Sequence, residues 1–288
     1  MTPPKPDFAP AVLKVERAFS HIAEFDRAAN QYFAKHPNSV SMQPIERKGS
    51  FGYGVGERLP FPNQRFALFV GDAVHNLRTA LDYLVSACAS ARGQPCDHTA
   101  FPIVDRESQL KDRLKRDVAP AGALVQNLVA ASRPYRRGCF ALHALHRLDI
   151  EDKHRLVLPV ASSVAVDVTT GGWNALDIIR VSGRVSSAHA RGRRIAVPPG
   201  YETALPMDMH YEGDILFARG GPMAGKPCLE TLRELATVVT DVIERFETAH
   251  GCVPLSMSLR PRVPRDSPAA PVARDEWSVD PRLASGAE

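Results

Sequence analysis

The sequence predicts an α+β protein, in which an antiparallel β-sheet is inserted into a helical bundle before the last helix. Two observations predict this class. Apolar residues recur at spacings of three and four over long segments of the first half and again over residues 229–246. Between these helical patterns, residues 156–218 contain short β-branched runs separated by Gly, Pro and Ser, which is typical of antiparallel strands.

The helical periodicity gives the expected order of elements. Helices are predicted over residues 8–34, 66–91, 121–132, 138–150 and 229–246, and a charged helical segment over 106–117. A hairpin is expected over residues 38–57, with its turn at Lys48-Gly49-Ser50, and about five strands over 156–218.

These elements are expected to form one domain over residues 1–257. The bundle would comprise residues 8–153 and 226–250, and the sheet residues 156–218. Residues 258–288 are rich in Pro, Arg, Ala and Ser and have no period, so they are expected to be a disordered tail.

The composition is that of an ordinary soluble globular protein. The chain has 288 residues, of which 44% are hydrophobic and 24% charged. Its net charge of +4 permits an anionic partner but lacks the clustering of a strong nucleic-acid footprint. No segment has the roughly 20 apolar residues of a membrane span, and the N-terminus lacks the apolar core of a signal peptide. The five cysteines are scattered and include no CxxC pair, which argues against a disulfide framework or a zinc ribbon and predicts a cytoplasmic protein.

The first candidate site is the segment GDAVHNLRTALDYLV, at residues 71–85. In a helix, His75, Asn76, Arg78 and Asp82 gather on the polar side, opposite an apolar stripe. One interpretation is a solvated face, on which Arg78 and Asp82 form an i,i+4 ion pair that contributes roughly 0.3–0.5 kcal/mol. The other is a ligand site, because these side chains are short and form directional hydrogen bonds.

The second candidate site is the segment HALHRLDIEDKHRL, at residues 143–156. It contains three of the ten histidines and ends at Asp152-Lys153-His154-Arg155, where helix is expected to give way to strand. Structural ion pairing and catalysis are both open interpretations. Metal ligation through nitrogen and oxygen is a third, with the ligands His146, Asp149, Asp152 and His154. The sequence contains no HExxH, GxSxG, GxxxxGK[ST] or GxGxxG motif, which excludes zincin, hydrolase-elbow and common nucleotide-binding chemistry by those routes.

The two candidate segments are predicted to meet in space. Asp72 and Asp82 on the first carry charge opposite to that of Lys153, His154 and Arg155 on the second. Buried polar groups need such partners, so the predicted helix that contains Gly71 is expected to pack on the later junction.

The chain resembles a group of uncharacterised bacterial proteins that share four separated motifs. The motifs are a GDxxHNLRxALD helix, an FPI, a PY and a DKHR junction. They stand here at residues 71–82, 101–103, 134–135 and 152–155. The resemblance covers about residues 10–250 and implies no known activity. Many relatives continue the helix as ALDH, whereas Tyr83 stands at that position here.

The chain is also similar, more loosely, to the HEPN superfamily of helical bundles, many of which are metal-independent RNases. Their signature is an arginine, four to six residues, and then a histidine near a helix end. Arg147 and His154 are separated by six residues, and Arg137 and His143 by five. Leu148 takes the place of the polar residue that usually follows the arginine. The resemblance implies a homodimer, because such RNases commonly build one cleft from two protomers.

Two functions follow as hypotheses from different classes. The first, which we favour, is a non-catalytic binding or interaction protein that needs no cofactor. Its unknown ligand would contact His75, Asn76, Arg78, Asp82, Asp152 and Arg155. The second is an HEPN-like endoribonuclease, or a degenerate relative, that acts on RNA without a metal. In that enzyme His154 would be the general acid or base, and Arg147 with Lys153 would stabilise the charge on the phosphorus centre. A metal-dependent enzyme is a third, weaker hypothesis.

Overall fold

A computed structural model describes residues 4–35, 40–47, 50–57, 63–154, 159–171, 178–186, 194–196, 206–218 and 220–259. Within these ranges the chain forms six α-helices. They are α1 (Ala9–Lys35), α2 (Asn63–Ala91), α3 (Leu110–Arg113), α4 (Ala123–Ala131), α5 (Phe140–His154) and α6 (Cys228–Ala249). The predicted helical part of the fold is therefore confirmed, with most helix ends within three residues of those expected.

The same ranges contain six strands. They are β1 (Val40–Arg47), β2 (Ser50–Glu57), β3 (Pro159–Gly171), β4 (Ile178–Ser186), β5 (Arg194–Ala196) and β6 (Pro206–Phe217). They form two three-stranded sheets, with the orders β1-β2-β5 and β4-β3-β6. The two strands of the predicted hairpin are present, since β1 pairs antiparallel with β2 from Val40↔Glu57 to Arg47↔Ser50. Lys48 and Gly49 of its predicted turn lie outside the described residues.

The prediction of a single antiparallel sheet over residues 156–218 is wrong. The short strand β5 does not join β3, β4 and β6, but pairs with β2 at Tyr53↔Ile195. The reason is that a hairpin leaves its second strand with an unpaired edge, and a three-residue segment is enough to pair with it.

The chain divides into two compact units. Among the described residues, the helical unit comprises those of Met1–Asn30, Pro62–Pro159 and Leu216–Arg262, and the strand unit comprises those of Gln31–Phe61 and Val160–Ile215. The chain therefore leaves the helical unit twice before α6. That the two units make up a single domain stays a prediction.

The core of the helical unit is built around α2. Phe66, Val70, Leu77, Leu81 and Leu84 of this helix are almost completely buried. Small residues between them are buried as well, so α2 is apolar around most of its circumference, as a central helix must be. It packs against both α5 and α6, and this position brings its few polar side chains against neighbouring helices and loops.

Helix α5 is longer than predicted. It continues through His154, so Asp152, Lys153 and His154 are helical and do not mark a change from helix to strand. The extra turn is stabilised by Lys153, whose Nζ donates to Asp149 Oδ2 at 2.6 Å across one helical turn. The charged segment at 106–117 is shorter and less regular than predicted, with 3₁₀ and π turns on either side of α3.

The C-terminal end of the helical unit is held by a buried carboxylate. Glu247 of α6 is fully buried, and its Oε1 accepts the backbone N–H of Leu255 at 2.9 Å. Its Oε2 accepts the hydroxyl of Ser256. These bonds fix a 3₁₀ helix, Leu255–Leu259, whose last residue is buried. The predicted tail therefore begins two residues too early, and its remainder, 260–288, lies outside the described residues.

Across the described ranges, none of the helices combines the length and the apolar character needed to cross a lipid bilayer. All five cysteines are free thiols.

Candidate functional site

The polar side of α2 forms a clamp on the loop that follows it. Arg78 is only 8% exposed, and its Nη1 donates to Asp82 Oδ1 at 2.8 Å. Its Nη2 donates to the carbonyl of Phe101 at 2.9 Å, and the same Asp82 oxygen accepts the Phe101 N–H at 2.8 Å. One ion pair therefore satisfies both backbone groups of a buried residue, which are costly to leave unpaired. The interpretation of this pair as part of a solvated face is wrong.

The clamp determines where the FPI and PY motifs meet. Phe101 and Ile103 are buried. The next residue, Val104, donates its N–H to the carbonyl of Pro134 at 3.0 Å and forms a parallel bridge with Tyr135. The loop after α2 is thus tied to the turn that precedes α5.

That turn is too tight to accept a side chain at Gly138. The carbonyl of Arg133 accepts the N–H of Tyr135 at 2.8 Å and that of Cys139 at 2.7 Å. A Cβ atom at Gly138 would lie 2.8 Å from Cε2 of Tyr135. The close packing leaves Arg136 and Arg137 exposed at the outside of the turn.

These two arginines line a cleft of about 1150 Å³ within the helical unit. The charged residues of its wall come from the loop before α3, the turn before α5 and α5 itself. They are Asp105, Arg106, Glu107, Arg136, Arg137 and Arg147. The wall therefore contains four arginines and two acidic residues, which gives the cleft an excess of positive charge.

One of the two carboxylates is anchored by a histidine. His143 Nε2 lies 2.8 Å from Asp105 Oδ1. This hydrogen bond is the main reason that the pKa of Asp105 is held below its usual value, and the nearby positive charge of Arg147 acts in the same direction. The other ring nitrogen of His143 is buried and has no hydrogen-bond partner in the described structure. The imidazole thus orients Asp105 and presents no accessible nitrogen to the cleft.

A second polar cluster joins α2 to α5. Asp149 is nearly buried, with 3% of its side chain exposed. Its Oδ1 lies 3.1 Å from Nδ1 of the half-exposed His75, and its Oδ2 accepts from Lys153. Next to this cluster, the carboxylate of Asp152 lies against the backbone of Gly71, where a Cβ atom would be 2.6 Å from Asp152 Cγ.

The predicted meeting of the two candidate segments is confirmed by these contacts, but the predicted partners are wrong. Asp82 pairs with Arg78 of its own helix, and Lys153 pairs with Asp149. Asp149 is the carboxylate of α5 that contacts α2, because it is buried beside His75. Lys153 and His154 are exposed near the end of α5.

The predicted catalytic trio is not brought together. Arg147 lines the cleft, while Lys153 is bound to Asp149 on the side of α5 that faces α2. His154 lies on nearly the same helical face as Arg147 but two turns further on, about 10 Å along the axis. It is exposed and does not line the cleft.

The remaining predicted ligand residues are Asn76, which has partners within the protein, and Arg155. The amide nitrogen of Asn76 donates to the carbonyl of Asp72 at 2.8 Å, and its Oδ1 accepts from Lys14 at 3.3 Å. Arg155 lies outside the described residues.

Among the residues that are described, no group of three or more His, Cys, Asp or Glu side chains is arranged to hold a metal ion. This includes the predicted metal ligands His146, Asp149, Asp152 and His154.

Sequence reasoning missed most of the cleft. Arg106, Glu107, Arg136 and Phe140 were not singled out, and Arg137 entered only through a signature spacing. A signal was available in SRPYRRG, at residues 132–138, where three arginines fall within five positions of a turn. Turns lie at the protein surface, so a run of this kind exposes several guanidinium groups close together.

The comparisons with known proteins find no match: no protein-family model fits the chain, and no curated protein or solved structure shows significant similarity to it.

His146 lies between the clamp and the α2–α5 cluster. Burial lowers its pKa to about 4, the positive charge of Arg78 acts in the same direction, and the charge of Asp149 opposes them. The imidazole is therefore neutral in the folded protein at pH 7, and its Nδ1 is buried without a partner in the described structure.

We expect His146 to make the protein less stable in mild acid. An unfolded histidine takes up its proton near pH 6.5, whereas the folded one resists protonation down to about pH 4. Between these values the unfolded state binds more protons, so the free energy of unfolding falls as the pH is lowered. Urea unfolding at about pH 7 and about pH 5 should show a smaller loss for His146→Gln than for the wild type. The control, His98→Gln in the exposed loop after α2, should keep the wild-type loss. An unchanged loss in His146→Gln would contradict this assignment.

We expect the effect of Gly71→Ala to depend on Asp152. The three atoms nearest to a Cβ at position 71 all belong to the Asp152 carboxylate, so the methyl group displaces it and the protein is destabilised. In an Asp152→Ala background the same change should stabilise by about 1 kcal/mol, because alanine is the better helix former. Urea unfolding of the four proteins measures this reversal. Equal stabilisation by Gly71→Ala in both backgrounds would show that the carboxylate does not pack on Gly71.

Proposed function

We propose that the protein is a non-catalytic binding protein that holds an anionic ligand in the arginine-lined cleft. The observation that carries this proposal is the state of the four cleft arginines. All are exposed, and within the described part of the chain none of them forms a salt bridge. Like charges gathered at one concave surface repel each other, and an anion removes that repulsion.

The chemistry of guanidinium groups narrows the kind of anion. Arginine presents planar pairs of N–H donors that match carboxylate and phosphate oxygens. Because Arg136 and Arg137 come from a turn that is tied to neighbouring segments, less conformational entropy is lost when they bind. The predicted site between α2 and α5 is less suited to a ligand, because its polar groups already have partners. Arg78 and Asp82 bind each other and the backbone of Phe101, and Asp149 binds His75 and Lys153.

A metal-independent endoribonuclease is the second candidate, and one observation favours it. Arg137 and His143, which have the spacing of the HEPN signature, both line the cleft. A homodimer and an RNA substrate belong to this candidate. It is the weaker of the two, since the nitrogens of His143 are bound to Asp105 or buried, and proton transfer requires an accessible nitrogen. A cytoplasmic location is part of both proposals.

We expect inorganic pyrophosphate to bind to the wild-type protein and Arg147→Gln to weaken the affinity about tenfold, through the loss of a charge-assisted hydrogen bond. Isothermal titration calorimetry without magnesium measures this. The matched control is Arg17→Gln, which removes an exposed arginine of α1 outside the cleft and should bind as the wild type does.

Two results would contradict the binding proposal. One is equal affinity for pyrophosphate in the wild type and Arg147→Gln, or no binding to either protein. The other is cleavage of single-stranded RNA in the presence of a chelator that is lost in a folded His143→Gln variant. That second result would establish the nuclease in place of the binding protein.

A further inference from the structure

We propose that the anion held in the cleft carries a planar ring, and that the cleft takes a mononucleotide with its base stacked on Phe140. This inference rests on the proposed anion-binding function and specifies its ligand class. The feature that carries it is an exposed aromatic ring in the wall of a cleft lined with arginines.

Phe140 is the first residue of α5 and lines the cleft with 39% of its surface exposed. Its ring is 6.5 Å from that of His143 and 6.0 Å from Nζ of Lys226. An aromatic side chain of this kind in a positively charged concave surface is a platform on which a base can stack, because every base has a flat π face. The lysine Nζ lies over the ring as a cation–π contact, and Lys226 is not among the residues that line the cleft.

The dimensions of the cleft exceed what a simple anion needs. Its volume of about 1150 Å³ is slightly above the range of sites for small organic ligands, which commonly span about 300–1,000 Å³. A phosphate group contacting Arg136, Arg137 or Arg147 would leave most of this space empty. The remaining volume is large enough for a sugar and a base.

The other side chains of the cleft fit the neutral part of such a ligand. Asp105 stays ionised and is held in position by His143, and Glu107 and Ser108, two and three residues later in the chain, also line the cleft. Carboxylates accept hydrogen bonds from hydroxyl and amino groups and repel phosphate. They are therefore suited to ribose hydroxyls or a base amino group, while the phosphate is held by the arginines.

Two adjacent glycines, followed by Pro222, form part of the cleft wall. Gly220 and Gly221 line it, and a Cβ atom at Gly220 would have nothing within 4 Å. Gly220 has a φ of +102°, a conformation that favours glycine. At Gly221 a Cβ atom would lie 3.3 Å from Glu151 Oε2, so the two glycines together keep this part of the wall free of bulky side chains.

Three probes separate the parts of the ligand: adenosine 5′-monophosphate, ribose 5-phosphate and adenosine. In calorimetric titrations we expect the nucleotide to bind at least about tenfold more tightly than ribose 5-phosphate, and adenosine to bind weakly. Phe140→Leu should remove the advantage of the nucleotide over ribose 5-phosphate. The control is Tyr83→Leu on α2, because Tyr83 has the same 39% exposure and a lysine Nζ also 6.0 Å from its ring, but does not line the cleft. It should leave that advantage unchanged.

The outcomes distinguish the mononucleotide inference from the proposed anion-binding function on which it rests. If the nucleotide and ribose 5-phosphate bind equally and Arg147→Gln weakens both, the mononucleotide inference is overturned while anion binding stands. If none of these probes and no pyrophosphate binds, the proposed function fails and this inference fails with it. If a single-stranded RNA decamer binds much more tightly than the nucleotide, the cleft belongs to an oligonucleotide, and the mononucleotide inference is overturned.

Discussion

The ion pair between the buried Arg78 and the partly exposed Asp82 is the interaction on which the rest of the helical unit's site depends. It belongs to the central helix and satisfies both backbone groups of Phe101. Phe101 begins the segment in which Val104 forms the bridge to Tyr135, and Asp105 directly follows Val104 in the chain. The clamp therefore determines the position of one wall of the cleft and, through the bridge, that of the turn carrying Arg136. Because Arg78 and Asp82 are both hydrogen-bonded to the backbone of Phe101, the ion pair stabilises the loop and is not available to a ligand.

Helix α5 connects this support to the cleft through two different faces. One face carries His143 and Arg147 into the cleft, and the other presents Asp149 to His75 of α2. His146 lies between these faces and is kept neutral by its burial and by the charge of Arg78. A proton taken up there would add positive charge next to the guanidinium of the clamp. The stability of the clamp and the charge at the centre of α5 are therefore linked.

The helices were predictable because their apolar spacing is regular, and the Gly71 segment was rightly expected to pack on the end of α5. The sites were less predictable, because a helical face that looks polar in sequence was expected to bind a ligand or face solvent. Arg78 instead reaches a loop 23 residues away, and no local spacing encodes that contact. Similarly, the arginines of the cleft come from separate segments that long-range contacts bring together, among them the Val104–Tyr135 bridge and the His143–Asp105 hydrogen bond. The pairing of β5 with β2 was hidden for the same reason, since it joins strands about 140 residues apart.

The most direct test of the clamp is the hydrogen exchange of the Phe101 and Val104 amides in the wild type and in Asp82→Ala. Removing the carboxylate leaves the Phe101 N–H without its acceptor, and Arg78 without its partner. If the clamp supports the cleft wall, both amides should lose protection by at least about tenfold, because a buried group left unpaired costs about 1–3 kcal/mol. Amides in the middle of α6 should change less, and the exposed control Asp97→Ala should leave all of them as in the wild type. Unchanged protection of Phe101 and Val104 in Asp82→Ala would show that the wall is held by other contacts and would contradict this account.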